Sequence, residues 1–181
     1  MKPDSELLHL YATSGNEAAF AEVLHRHLGM VYGAAVRLLN GDTALAEDVT
    51  QAVFVEMARS AGLLAGRESP AGWLHTTTRN LSSHAIRAEQ RRRTWEKEAS
   101  SMISPTPTPE ISWTQLRPLI DEAVGRLPEP DRNAILLRFF EGLSHREVGV
   151  VLRLNENTAR MRVERSIEKL REYFARRGIT T

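Results

Sequence analysis

Apolar residues recur at spacings of three and four along most of the chain, the period of a helix that buries one face. Between Asn16 and Leu39 the stripe Phe20, Leu24, Leu28, Val31 and Ala35 predicts a helix with those side chains inward. Asn40-Gly41-Asp42 is a turn signal, and a second helix follows from Thr43 to Arg59, burying Leu45, Val49 and Val53. Gly62 to Glu68 reads as a loop. Ser69-Pro70 then supplies a cap and a first-turn proline to a third helix, through Trp73, Leu74 and Leu81 into Arg91, Arg92 and Arg93. No strand-like alternation bounded by turn residues interrupts this pattern.

The pattern lapses between Glu98 and Ile111, where EASSMISPTPTPEI is too rich in Ser, Thr and Pro to build a core. Helical periodicity resumes from Leu116 to Leu127, with Pro118 as a start or kink, and stops at Leu127-Pro128-Glu129-Pro130. Asp131 to Glu141 is predicted to bury Ile135, Leu136 and Phe139. Gly142 can take the left-handed conformation that ends a helix, and Ser144 with Glu147 forms a capping box for the next. That short helix has Val148, Val151 and Leu152 on one face; after Arg153 and Leu154, Asn155 caps another, whose stripe is Ala159, Val163, Ile167, Leu170 and Phe174. Opposite the stripe lie Thr158, Met161, Arg162 and Arg165, with Asn157 and Glu168 at the margins. This is the layout of a helix-turn-helix whose second helix enters a major groove. Any two amphipathic helices with a short connector and solvated arginines would look alike, so the rest of the chain has to decide. The expected fold is all-α: a helical domain over residues 1–97, a flexible linker over 98–112, and a second helical domain over 113–181 containing the helix-turn-helix.

Composition narrows the classes. A chain of 181 residues, 41% hydrophobic and 26% charged, is that of an ordinary soluble protein. No apolar run can span a bilayer and no apolar signal segment follows Met1, so a cytoplasmic protein without membrane insertion is expected. With no cysteine, disulfides, thiolate metal sites and cysteine nucleophiles are excluded. His25 and His27 point to different sides of their helix, and there is no Gly-rich phosphate loop or nucleophile–base pair; neither an enzyme nor a cofactor or metal is expected. The net charge of +1 conceals an alternation: −4 over residues 1–60, +3 over 61–98, −2 over 99–142 and +4 over 143–181. Two basic segments separated by acidic ones suggest two polyanion contacts and two other surfaces.

The order of these segments resembles the bacterial RNA polymerase sigma factors of the extracytoplasmic-function class, which carry two domains, called regions 2 and 4, joined by a linker. The resemblance runs from about Asn16 to Phe174. AEDVTQAVF (Ala46 to Phe54) is similar to the family's polymerase-binding helix, and GWLHTTTRNLSSHAIRAEQRRR (Gly72 to Arg93) to its promoter-melting helix. RLPEPDRNAILLRFFEGLSHREVGVVL (Arg126 to Leu152) and TARMRVERSIEKLR follow the region 4 pattern. The chain departs from the family pattern at His84, Asn157 and Met161, which are DNA-reading positions.

The resemblance implies a factor that binds core RNA polymerase and directs it to a two-part promoter, with an anti-sigma factor as a further partner. Polymerase binding falls to Asp48, Gln51 and Phe54; the first two share a helix face suited to arginine-rich partner helices, while Phe54 turns away from it. The downstream element and its melted strand fall to Arg67, Trp73, Arg79, Asn80, Arg87, Arg91, Arg92 and Arg93, since opening a duplex requires capture of unstacked bases and phosphates. The upstream duplex falls to Arg146, Arg153, Asn157, Thr158, Arg160, Met161, Arg162 and Arg165, which offer guanidinium groups to guanine edges and phosphates. Two other readings stay open. One is a stand-alone helix-turn-helix regulator, which would bind DNA without polymerase; the other is an interaction protein that has lost promoter binding.

Overall fold

The computed structural model describes the backbone of residues 2–98 and 113–179, and the side chains of residues 2–92 and 118–179. Every regular element within them is helical. The predicted linker lies outside the described residues except for Glu98, which closes a helix.

The N-terminal domain is built on three long helices: α2 (Glu17–Leu38), α3 (Thr43–Arg59) and α5 (Ala71–Glu98), each packed on the other two. Asn16 caps α2 by accepting from the Ala19 N–H, and Asp42 caps α3 from the Leu45 N–H. Two shorter pieces close one end. The first, α1 (Asp4–Ser14), packs on α2 and on α4 (Ala61–Leu64). Leu7, Leu8, Val23, Val31, Val53, Met57, Leu64 and Leu74 fill the centre.

Three expectations need correction here. Helix α1 was not expected; it starts after Pro3 without a side-chain cap, and its clearest signal is Gly15 in the left-handed region directly before the Asn16 cap. Part of the expected Gly62–Glu68 loop is α4, because Leu64 is needed in the core. Leu28 is exposed, since α2 is apolar over more than one stripe and buries Ala19, Val23, Met30, Val31, Ala34 and Ala35 instead.

The C-terminal domain comprises α6 (Trp113–Arg126), α7 (Glu129–Ile135), α8 (His145–Val151) and α9 (Glu156–Ala175), with α7 running into a π-helical turn over Leu136–Phe140. That turn explains another correction. An α period from Ile135 would bury Phe139, but the Glu141 N–H bonds back to the Leu136 carbonyl, five residues earlier. The extra residue rotates Phe139 to solvent, 56% exposed, and turns Phe140 and Glu141 toward the N-terminal domain.

The helix-turn-helix forms as expected. The capping box of Ser144 and Glu147 is complete, and Gly142 is left-handed. Arg153 takes a positive φ in the turn between α8 and α9. Asn155 Oδ1 accepts from the Thr158 N–H at 2.8 Å. Asn155→Ala should therefore cost about 1 kcal/mol, read as a lower urea midpoint at constant slope. An unchanged midpoint would mean that water satisfies the first turn of α9 equally well.

Candidate nucleic-acid and protein interfaces

Helix α9 presents the predicted face. Ala159 and Val163 are buried against α7 and α8, whereas Asn157, Arg160 and Arg165 are exposed and Met161 is 41% exposed. Arg160 is already engaged within the helix, by Glu164 at 2.8 Å and Asn157 at 3.0 Å. Thr158 and Arg162 are half-buried; Arg146 and Arg153 are exposed nearby. Arg165 makes a long Nε contact of 3.4 Å to the Met161 carbonyl, and its side chain is exposed on this face.

Helix α5 carries Asn80, Arg87 and Arg91 exposed along its length, with Arg92 paired to Glu89 at 2.9 Å. The Arg93 side chain lies outside the described residues. Trp73 is half-buried and packed on the core. Arg67 and Arg79 are placed differently from the others. Arg67 donates to Glu129 at 2.5 Å, and the Arg79 guanidinium lies against Gly125 of α6.

On α3, Asp48 and Gln51 are exposed on one face, as their spacing predicts, and Phe54, turned away from them, is buried. Beside them runs a feature not foreseen from sequence: an open apolar groove of about 810 Å³ between α2 and α3, lined by Phe20, Leu24, Leu28, Tyr32, Phe54 and Val55. Gln51 stands on its rim. Its signal in the sequence is the Phe20–Leu24–Leu28 stripe, whose spacing fits a core face equally well. Apolar surface kept open to this extent marks a partner face.

Buried polar groups join the two domains. Asp121 of α6 is fully buried; its carboxylate accepts from Arg37 Nε at 2.8 Å, Arg37 Nη2 at 2.9 Å and His75 Nε2 at 3.0 Å. Burial would raise the Asp121 pKa, but these donors hold it below the usual carboxylate value. Burial pushes His75 down despite Asp121, aided by the charges of Arg79 and Arg132, so the ring is neutral and carries its proton on Nε2. Arg37 also lies over the Phe140 ring, 4.8 Å from its centroid.

His27 of α2 is buried between Glu141, 2.6 Å from Nδ1, and Asp4, 2.9 Å from Nε2. Burial alone would lower its pKa, but hydrogen bonds to the two carboxylates, reinforced by their charge, raise it to about 9. Asp4 is held low against its own burial by His27 and Arg26. His25, two residues away, is exposed, so the pair does point to different sides.

Comparison with known proteins agrees with this architecture. The sequence profile of Sigma-70 region 2 matches residues 23–92, and that of Sigma-70, region 4 matches residues 117–170. RNA polymerase sigma factor CarQ of Myxococcus xanthus is 30% identical over 158 residues, covering 87% of this chain and 90% of that protein. ECF RNA polymerase sigma factor SigE of Mycolicibacterium smegmatis is 31% identical over 182 residues, covering 95% of this chain and 69% of that protein. Among solved structures, CnrH in complex with the cytosolic domain of CnrY aligns over 95% of this chain and 97% of its own, at 23% identity and a TM-score of 0.42.

The chain belongs to the RNA polymerase sigma factors of the extracytoplasmic-function class. It is a non-enzymatic initiation factor that binds core polymerase and directs promoter recognition. No described helix is long and apolar enough to cross a membrane.

Proposed function

We propose a division of labour within this sigma factor. Residues 1–97 bind polymerase and melt the promoter, residues 98–112 connect, and residues 113–181 read the upstream element. Asp48 and Gln51, with the adjoining apolar groove, dock core polymerase; Phe54 acts from beneath as a wall of that groove. Trp73, Asn80, Arg87, Arg91, Arg92 and Arg93, with Arg67 and Arg79, handle the downstream element. Arg146, Arg153, Asn157, Thr158, Arg160, Met161, Arg162 and Arg165 serve the upstream duplex. The protein acts in the cytoplasm, and an anti-sigma factor is its further partner, as family membership suggests.

The observation that carries this reading is the two-sidedness of α9: Ala159 and Val163 are buried while Met161 and Arg165 stand opposite in solvent. A bidentate arginine–guanine contact is worth about 1–3 kcal/mol of discrimination, whereas a phosphate contact weakens binding to all sequences and lowers the salt slope by about one. Arg165→Ala holoenzyme should thus lose affinity for a cognate promoter but little for one altered in its upstream element. Arg153→Ala should weaken both alike. Binding measured at two salt concentrations separates the cases; if Arg162→Ala and Arg165→Ala both bind and transcribe as wild type, α9 is not the reader.

A further inference from the structure

The arginines of α9 divide between two sides of the helix. Arg162 is half-buried and lines a cleft together with Arg153. Arg160 is exposed on the other side of the row made by Met161 and Arg165, and its guanidinium is held at both ends. Its Nη1 donates to Glu164 Oε1 at 2.8 Å, and its Nη2 donates to Asn157 Oδ1 at 3.0 Å. Those partners lie one turn ahead and one turn behind, so the three side chains run along the margin of the predicted reading face. A guanidinium carries more N–H donors than these two bonds use, so donors remain for a third partner.

Folding gives little reason for this arrangement. The two side chains of the ion pair are 48% and 49% exposed, and pairs so exposed contribute little to stability. Arginine before glutamate is also the less favourable order for a helical pair four residues apart. Toward DNA the carboxylate is a liability, because a negative group beside the groove-entering face repels phosphates. What the two partners give Arg160 is one orientation. A long side chain held at both ends has lost its freedom before DNA arrives, so a base that bonds it need not supply that ordering.

We propose that Glu164 and Asn157 are positioning residues, which hold Arg160 in the orientation that bonds a guanine edge of the upstream element. Glu164 thereby lowers affinity for DNA in general and raises discrimination at one base pair. This inference rests on α9 being the reader, as proposed above.

The test binds holoenzyme to a promoter library randomised across the upstream element and sequences the DNA selected. Arg160→Ala should weaken a guanine preference at one position by about fivefold or more, as expected for a lost bidentate contact. Glu164→Ala should weaken it at the same position by about two- to tenfold, and Asn157→Ala should act in the same direction. Affinity of the Glu164→Ala holoenzyme for the unselected library should rise. Glu164→Gln keeps an acceptor for Arg160 but removes the charge, so it should retain the preference together with the higher affinity. The double variant Arg160→Ala with Glu164→Ala should show no weaker preference there than Arg160→Ala alone. Helix content by circular dichroism should be unchanged throughout, since these side chains are exposed.

If Glu164→Ala raises affinity but leaves every base preference intact, the pair is ordinary surface charge and the positioning role is overturned. A Glu164→Gln preference as weak as that of Glu164→Ala overturns it too, because the acceptor is still there. So does a loss of preference in Glu164→Ala at a different position from that in Arg160→Ala, which makes Glu164 a reader of cytosine in its own right. If no α9 variant, Arg165→Ala included, changes any preference, the reading of α9 itself fails, and this inference with it.

Discussion

Asp121→Ala is expected to cost about 3–5 kcal/mol of folding stability, because it removes the common acceptor of a buried charge and a buried ring. Asp121 has no exposed surface, and the Arg37 side chain is only 24% exposed. Without the carboxylate, Arg37 keeps its place over Phe140 but loses two charge-assisted hydrogen bonds, and His75 Nε2–H loses its acceptor. His75 has little to fall back on, since its Nδ1 already finds no partner among the described residues. Urea unfolding of the full chain checks the magnitude. Because the three residues span both domains, the variant should also unfold less cooperatively, with helix loss split into two steps. A loss below about 1 kcal/mol with one sharp transition would show that this pair does little to hold the domains together. The Arg37→Ala and Asp121→Ala double-mutant cycle should give a coupling of about 0.5–3 kcal/mol, as expected for groups in direct contact.

Raising the pH from 7 to 10 should also destabilise the protein, by about 3 kcal/mol through His27 alone. Its pKa is about 9 in the folded state against an ordinary value of 6.5, and each unit is worth about 1.4 kcal/mol. A raised pKa means that the folded protein holds the proton more tightly than the unfolded chain. The contribution is complete below about pH 6.5 and is lost as the pH rises through 9. His75 works in the opposite direction: it is buried neutral with a lowered pKa, so its contribution is complete above the ordinary value of 6.5 and declines below it. Asp4 and Asp121, both held low, lose theirs only in the acid range below their ordinary 3.8. Stability should therefore be highest near neutrality. Urea titrations at pH 6, 7.5, 9 and 10 on wild type and His27→Gln isolate the effect from lysines and tyrosines, which titrate in both. An alkaline decline of the same size in His27→Gln would assign it elsewhere.

Local signals alone determined much of this molecule. The caps at Asn16, Asp42, Ser144 and Asn155 start helices where their side chains reach a free backbone N–H, an interaction that needs no distant partner. The Ala159–Val163 stripe and the opposed Met161 and Arg165 were legible because a regular helix converts sequence spacing directly into angle. For the same reason Asp48 and Gln51 could be placed on one face and Phe54 away from it, while its burial is decided by packing. The order of motifs carried the family resemblance, and with it the function.

Tertiary structure decided whatever depends on which of several possible faces meets a neighbour. Helix α2 is apolar enough to bury either of two stripes, so only packing shows that Leu28 lines an open groove while Val23 and Met30 form core. Phe139 is outward because one π-helical turn shifts the register, and nothing local in Leu136–Phe140 announces that shift. Arg67 and Arg79 look in sequence like any other cations of a basic segment; Glu129 and Gly125, roughly fifty residues away, pair the first and partly cover the second. Asp4, His27 and Glu141, or Arg37, His75 and Asp121, are far apart along the chain, and polar residues read singly are taken as exposed. Their burial is possible only because the fold brings each charge its partner, and that pairing between domains has no local periodicity to betray it.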